Sequence, residues 1–226
     1  MKINIVPRAR QAQGAFNGGE IVENKPIGFP QDGGEVRPYS NLFYWARAVA
    51  VVDSTIGLHP HQGFEIMSFV LEGRIRHFDT KLNEWKPLAA GDAQIIRAGS
   101  GISHAEFMAR GAVMFQIWVD PDLSKTLGQP ASYDDYPDEV FPRSEQDGIE
   151  VKTWVGEGSP FHLQAEGIRI FEWRMPPHSA TEPLLPEGKM WSCYVIEGEG
   201  KVAGRPCHTD DFLIIESEAP VAFATE

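Results

Sequence analysis

The sequence predicts an all-β protein made of two tandem β-barrel-like domains, and three observations lead there. Short apolar segments recur along the whole chain, glycine-centred turns separate them, and two pairs of short motifs repeat between the halves. No long amphipathic helical pattern competes with these signals.

In chain order the strand segments are Ile66–Leu71 (IMSFVL), Ala93–Ile96 (AQII), Val113–Val119 (VMFQIWV), Ile168–Trp173 (IRIFEW) and Phe212–Ile215 (FLII). Each has the length and apolar content of a buried strand. Turns fall at Glu72-Gly73, Gly91-Asp92, Gly99-Ser100-Gly101, Gly198-Glu199-Gly200 and Gly204. Strands punctuated this way suit an antiparallel double-sheet jelly roll, an architecture that includes the cupins.

The repeats divide the chain. Val70-Leu-Glu-Gly73 resembles Val195-Ile-Glu-Gly198, and Asp92-Ala-Gln-Ile-Ile-Arg97 resembles Asp211-Phe-Leu-Ile-Ile-Glu216. Residues 1–120 are therefore expected to form an N-terminal domain and 149–226 a C-terminal one. Residues 121–148, rich in Asp, Glu, Pro and Ser, read as an acidic linker with a solvated face, which Tyr133 and Tyr136 could anchor to a domain surface.

Two short ligand pairs in the first half carry chemistry: His59-Pro-His61 and His104-Ala-Glu106. On a strand, residues two apart face one side with Cβ atoms roughly 6.5–7 Å apart, so each pair can reach one ion. Three neutral imidazoles and a carboxylate suit a divalent first-row metal and leave open positions on an octahedron, which points to chemistry rather than a structural ion. Extending the repeat alignment sets Leu184, Pro186 and Met190 opposite His59, His61 and Glu65, and Phe223 and Thr225 opposite His104 and Glu106. The second copy has lost every candidate ligand, so the first half alone is expected to bind metal by this scheme, one ion per chain.

Composition excludes some partners. The 226 residues carry a net charge of −12 with no Lys/Arg cluster, which argues against direct nucleic-acid binding. Met1–Gln11 contains no signal-peptide apolar core, and no run of about eighteen apolar residues occurs, so neither a leader nor a membrane span is expected and the location is read as cytoplasmic. In that reducing setting Cys193 and Cys207, flanking an apparent hairpin, are expected to be buried free thiols.

The run Leu58-His-Pro-His-Gln-Gly-Phe-Glu-Ile-Met-Ser-Phe-Val-Leu-Glu-Gly73, followed by His77-Phe-Asp79, Gly91-Asp92 and Ala98-Gly-Ser-Gly-Ile-Ser-His-Ala-Glu106, resembles the pirin family of bicupins. The match covers roughly residues 57 to 119, with its motifs in the family's order. The second half resembles a degenerate cupin. The resemblance implies two cupin domains, with a metal, usually iron, held in the first by His59, His61, His104 and Glu106. It also implies quercetin 2,3-dioxygenase activity, which opens a flavonol ring with O2 and releases carbon monoxide, as associated with bacterial members. Animal members are linked instead to transcription-factor partners, so the alternative is a non-enzymatic, metal- or redox-dependent regulator that binds a protein. Three departures bear on the substrate: Gln62 stands where the family commonly has Arg, Ala105 where it has Ser, and the family's N-terminal Gly-His-Phe-Gly-like motif is absent from Gly18–Trp45.

Fe(II) is the expected ion, with Ni, Mn, Co, Cu and Zn chemically able to occupy the same donors. Glu65 falls on the His59/His61 face if no bulge intervenes at Gly63, and in many cupins a glutamate so placed is a ligand. The pirin pattern makes Glu106 the ligand and gives Glu65 a supporting or pocket role, with either carboxylate a candidate general base. His77 reads as a hydrogen-bonded structural histidine, as do His162, His178 and His208. Phe64, Met67 and Phe115 could wall the pocket, although core packing is the simpler reading. The expected partners are a flavonol-like aromatic and O2. An oxygen-independent metal enzyme would be revealed by anaerobic turnover. A bicupin of this size can be a monomer.

Overall fold

Apolar runs without alternation form strands buried on both faces, and two of them, Glu65–Glu72 and Val113–Val119, lie at the middle of a seven-stranded antiparallel sheet. Across that sheet the order is Ser132–Tyr136, Ala93–Arg97, Glu65–Glu72, Val113–Val119, Leu42–Ala50, Ile21–Ile27 and Ala12–Phe16. A second sheet of four strands, Ser54–His61, Ile102–Met108, Arg74–Asp79 and Trp85–Ala89, closes over its inner face. The computed structural model describes residues 1–184 and 186–226.

The two faces of the large sheet do different work. Inward, Ile21, Ala48, Val70 and Met114 meet Ile56, Ile75, Leu88 and Met108 of the four-stranded sheet, which makes the barrel core. Outward, Trp45, Met67, Phe69, Ile95 and Phe115 pack on Trp154, Phe161 and Phe212 of the second half. Burial on both sides explains why these strands read as continuous apolar runs. Each large side chain removed from water there stabilises the fold by about 1.5–3 kcal/mol.

The second half is built from three smaller antiparallel sheets, with a core of Val202, Cys207, Leu213, Ile215 and Val221 and with Trp173, Trp191 and Phe223 in edge-on and tilted contact beside it. Its repeat relation to the first half is visible in the backbone. Val70 N–H donates to Asp92 O as Val195 N–H donates to Asp211 O, and the carbonyls of Val70 and Val195 accept from Gly91 and Asp210. The Asp92 and Asp211 side chains each accept from the amide three residues earlier. Gly73 and Gly198 both turn the chain at positive φ, 73° and 88°. These relations make the protein an all-β bicupin whose second copy is degenerate. Leu184 is exposed and Phe223 packs among tryptophans, in positions that align with ligands in the first copy.

Two segments pair differently from the expected domain bounds. Lys2–Val6 pairs with Phe212–Glu216, because Ile3 and Ile5 complete the second core rather than the first. Ser132–Tyr136, inside the expected linker, adds to Ala93–Arg97 as an edge strand. There Tyr133 and Tyr136 turn inward as anchors while Asp134 and Asp135 face solvent. Cys193 and Cys207 are free thiols, half-buried and buried respectively. Among the described residues no helix is long and apolar enough to cross a membrane.

Candidate metal centre

Three histidines converge inside the first barrel because two facing strands hold them in register. His59, on Ser54–His61, lies directly opposite His104, on Ile102–Met108. His61 follows two residues after His59 and so shares its face. A bulge shifts the register between His104 and Glu106, setting Gly57-Leu58 against Ala105. One nitrogen from each of the three rings lies within 4.8 Å of the other two. His61 Nε2 is 3.0 Å from His104 Nε2, and His59 Nδ1 contacts the Gly57 carbonyl oxygen at 2.7 Å, which leaves His59 Nε2 free as a donor to a metal.

The electrostatics favour neutral rings. Burial, reinforced by the neighbouring imidazoles His104 and His59, pushes the His61 pKa down to about 3. Burial likewise holds His104 well below its ordinary value, and its Nδ1 is a buried atom without a partner. Lone pairs gathered on neutral imidazoles, two of them facing each other, are the donor chemistry a divalent cation requires, so His59, His61 and His104 form a group able to hold a metal.

Without metal, this arrangement opposes acidification. The folded pKa of His61 lies below its ordinary 6.5, so the unfolded chain binds more protons through the window between about 3 and 6.5. Stability of the metal-free protein is therefore expected to rise with pH across that window and to fall as pH drops from 7 to 4. Thermal melts in chelator should show this slope, and His61→Leu should flatten it. Equal slopes in the two proteins would refute the assignment.

Glu106 lies on the same strand face as His104 but outside that three-nitrogen group. It is 2% exposed, and both its oxygens accept from Gln116 Nε2 at 3.0 and 2.9 Å. Burial raises its pKa, an effect the Gln116 hydrogen bonds oppose. A polar chain surrounds it. Trp118 Nε1 donates to Gln116 Oε1 at 3.0 Å, and Gln94 reaches Glu106 at 3.5 Å while accepting from Tyr133 OH at 3.1 Å. Across the next strand His77 is the register partner of Glu106 and Asp79 that of His104. His77 contacts Asp79 at 2.8 Å and stacks on Tyr133 at 4.1 Å, so it is a hydrogen-bonded, packed histidine beside the site. Burial alone would raise the Asp79 pKa, but hydrogen bonds from Leu82, His77 and Lys81 overcome it and hold the carboxylate below its ordinary value.

Glu65 is elsewhere. Parity does not carry from His61 through Gln62-Gly63-Phe64, because the chain there leaves the four-stranded sheet and enters the seven-stranded one. Glu65 emerges on the outer face in line with Met67 and Phe69, where its oxygens accept from Gln164 N–H at 2.9 Å and Ala165 N–H at 2.7 Å. It holds the two halves together and does not face the histidines. Met67 and Phe115 likewise belong to the core between the halves. Phe64 does flank the site, 5.3 Å from the His61 ring and stacked on Trp118 at 4.9 Å.

Two recesses meet at His61. An outer one of about 550 Å³ is lined by Pro60, Gln62, Thr80, Ser100 and Ser103. An inner one of about 190 Å³ reaches into the barrel past His59 and Glu106 to Glu23, Lys25 and Tyr44. The sequence reading missed Gln94, Gln116, Trp118, Glu23, Lys25 and Tyr44. Its one available signal was a polar residue breaking an apolar strand run, as Gln94 does in AQII and Gln116 in VMFQIWV.

Comparison with known proteins matches this architecture to one family. The family model described as Pirin matches residues 36–119, which contain all the histidines of the cluster. Pirin-1 of Arabidopsis thaliana is 32% identical over 151 residues, covering 65% of this chain and 52% of that protein. The quercetin 2,3-dioxygenase of Escherichia coli is 27% identical over 176 residues, covering 74% of this chain and 69% of that one. The crystal structure of the bacterial pirin YhhW from Escherichia coli in complex with nickel(II) superposes with a TM-score of 0.72 at 20% identity, over 99% of this chain and 94% of that one. This chain spans about half the length of the first curated relatives it matches, 52%, 58% and 45% of them. The histidine cluster of the first copy thus lies inside the stretch that matches the pirin family, and that is the family this chain resembles.

Proposed function

We propose that the protein is a metal-dependent dioxygenase of the quercetin 2,3-dioxygenase type, with iron(II) held by His59, His61, His104 and Glu106. The observation that carries this reading is the convergence of three imidazoles beside a buried carboxylate, with recesses reaching the cluster at His61. Four such donors suit a non-haem iron and leave positions for substrate and O2. The name of the Escherichia coli relative supports the substrate class, and the nickel complex of YhhW supports a divalent metal as the bound group.

When bound, the ion supplies Lewis-acid activation of an oxygen on a substrate carrying a hydroxyl beside a carbonyl. The chain supplies the rest. Glu106, fixed by Gln116, accepts the hydroxyl proton on its carboxylate, and the raised pKa given by burial suits it to hold that proton. Phe64 and Trp118 flank His61 with aromatic rings and keep bulk water from the reacting face.

Iron-reconstituted protein with quercetin should consume O2 and release carbon monoxide in equal amounts, whereas folded His61→Ala treated identically should do neither. No uptake above the metal-only blank, with iron shown to be bound, would overturn the oxygenase reading and favour a partner-binding regulator.

A further inference from the structure

The inner cavity carries a charged wall that the metal centre does not use. Glu23, on Ile21–Ile27, is 7% exposed, and its Oε1 accepts from Tyr44 OH at 3.1 Å. Its Oε2 has the Lys25 ammonium at 3.7 Å, beyond hydrogen-bond reach, and no hydrogen-bond donor among the described residues. Lys25 is itself committed, bonded to Asp32 at 3.1 Å. The neighbouring strand makes room for the pair: a Cβ added at Gly14 would lie 2.7 Å from both Glu23 Oε2 and Lys25 Cε. Oε2 is not sealed from water, and Glu23 lines the recess, so a ligand that displaces that water must supply a donor in its place or leave the oxygen unpaired at a cost.

The recess has the dimensions of one ring. About 190 Å³ equals some six waters at ~30 Å³ each, room for a substituted benzene ring but not for a three-ring flavonol. Tyr44 and Trp118 stack at 4.4 Å along one side and offer an aromatic wall to a planar group. His59, His61 and Glu106 line the cavity together with Glu23. Two carboxylates in the lining, with the nearby lysine already paired to Asp32, disfavour a ring bearing a carboxylate and suit a neutral hydroxyl donor.

Resting on the flavonol reading of this same site, we infer that Glu23 is a specificity-determining residue: its free Oε2 accepts a hydrogen bond from a hydroxyl on the substrate ring that enters the inner cavity. Glu23 thereby selects hydroxylated rings over bare ones, because a bare ring leaves the buried acceptor unpaired.

Anaerobic calorimetric titration of nickel-loaded protein tests this without turnover. Its probes are quercetin, which has two hydroxyls on its pendant ring, and galangin, the same flavonol without them. The wild type should prefer quercetin by about 10- to 100-fold. Glu23→Leu should erase the preference, weakening quercetin and relieving galangin of an unpaired acceptor, at unchanged nickel content, and Glu23→Gln, which keeps an acceptor oxygen, should retain it. Gly14→Ala, which crowds Oε2 without removing a charge, should also lower the preference and serves if Glu23→Leu misfolds. A preference that survives both Glu23→Leu and Gly14→Ala, or that the wild type lacks, overturns the role of Glu23 alone. If neither flavonol binds the wild type, the flavonol reading of the site fails and the role of Glu23 with it.

Discussion

Replacing His104 with alanine is expected to lower divalent-metal affinity by at least about 100-fold, beyond the ~10–100-fold typical of losing a residue that merely orients a ligand. His104 is the fully buried member of the cluster, opposite His59 in register and 3.0 Å from His61. Its removal breaks the three-nitrogen group and leaves His59 and His61 on one strand with Glu106 set apart from them, which weakens the grip on an ion against chelators. Folding should survive, because the ring carries a buried Nδ1 without a partner and its loss removes that unpaired group along with some packing. Competitive chelator titration with Ni²⁺ and Fe²⁺ measures the loss. Retention of one tightly bound ion by folded His104→Ala would sink the assignment of the site. Glu106→Gln separates ligand from bystander: as a ligand, Glu106 should lose about 10–100-fold in affinity on amidation, whereas a carboxylate that only bonds Gln116 should leave affinity unchanged.

The histidines were legible because their signal is local. A strand alternates with period two, so His-Pro-His and His-Ala-Glu each declare a shared face without knowledge of the fold, and the register then needs only to bring two such pairs opposite each other. Glu65 shows where this logic ends. The three residues Gln62-Gly63-Phe64 carry the chain from one sheet to the other, and period two says nothing across such a change. The repeat was legible for the opposite reason, since Gly73 with Gly198 and Asp92 with Asp211 fix matching turns that each need a particular residue. Lys2–Val6 was not, because its alternation fits either core and the choice depends on a partner some two hundred residues away. In the polar chain, Gln94 and Gln116 were written in the sequence as interruptions of buried runs, whereas Trp118 reads as part of its run. Nothing short of the sheet order shows that those interruptions meet beside Glu106.

Glu65→Ala is expected to destabilise the protein by about 3–5 kcal/mol, a large share of the ~5–15 kcal/mol that holds a typical fold. The side chain is fully buried on the face between the halves. Its loss strands the Gln164 and Ala165 amides and takes a carboxylate from Arg97, 3.6 Å away, although Arg97 keeps Asp134 and the His162 carbonyl. Hydrogen bonds to a charged group contribute about 1.5–3 kcal/mol each, so two of them account for most of the effect. Glu65→Gln keeps the shape and one good acceptor and should lose less. Denaturant titration of both variants, with metal content measured on the folded fraction, sets this role against the catalytic one. If Glu65 ties the halves together, the midpoint falls while the folded protein keeps its metal and its turnover. If it were the base, turnover would vanish at unchanged stability, and its two backbone hydrogen bonds would have to be weak for that to happen. Those bonds, at 2.9 and 2.7 Å and shielded from water, are short enough to make stability the quantity that moves.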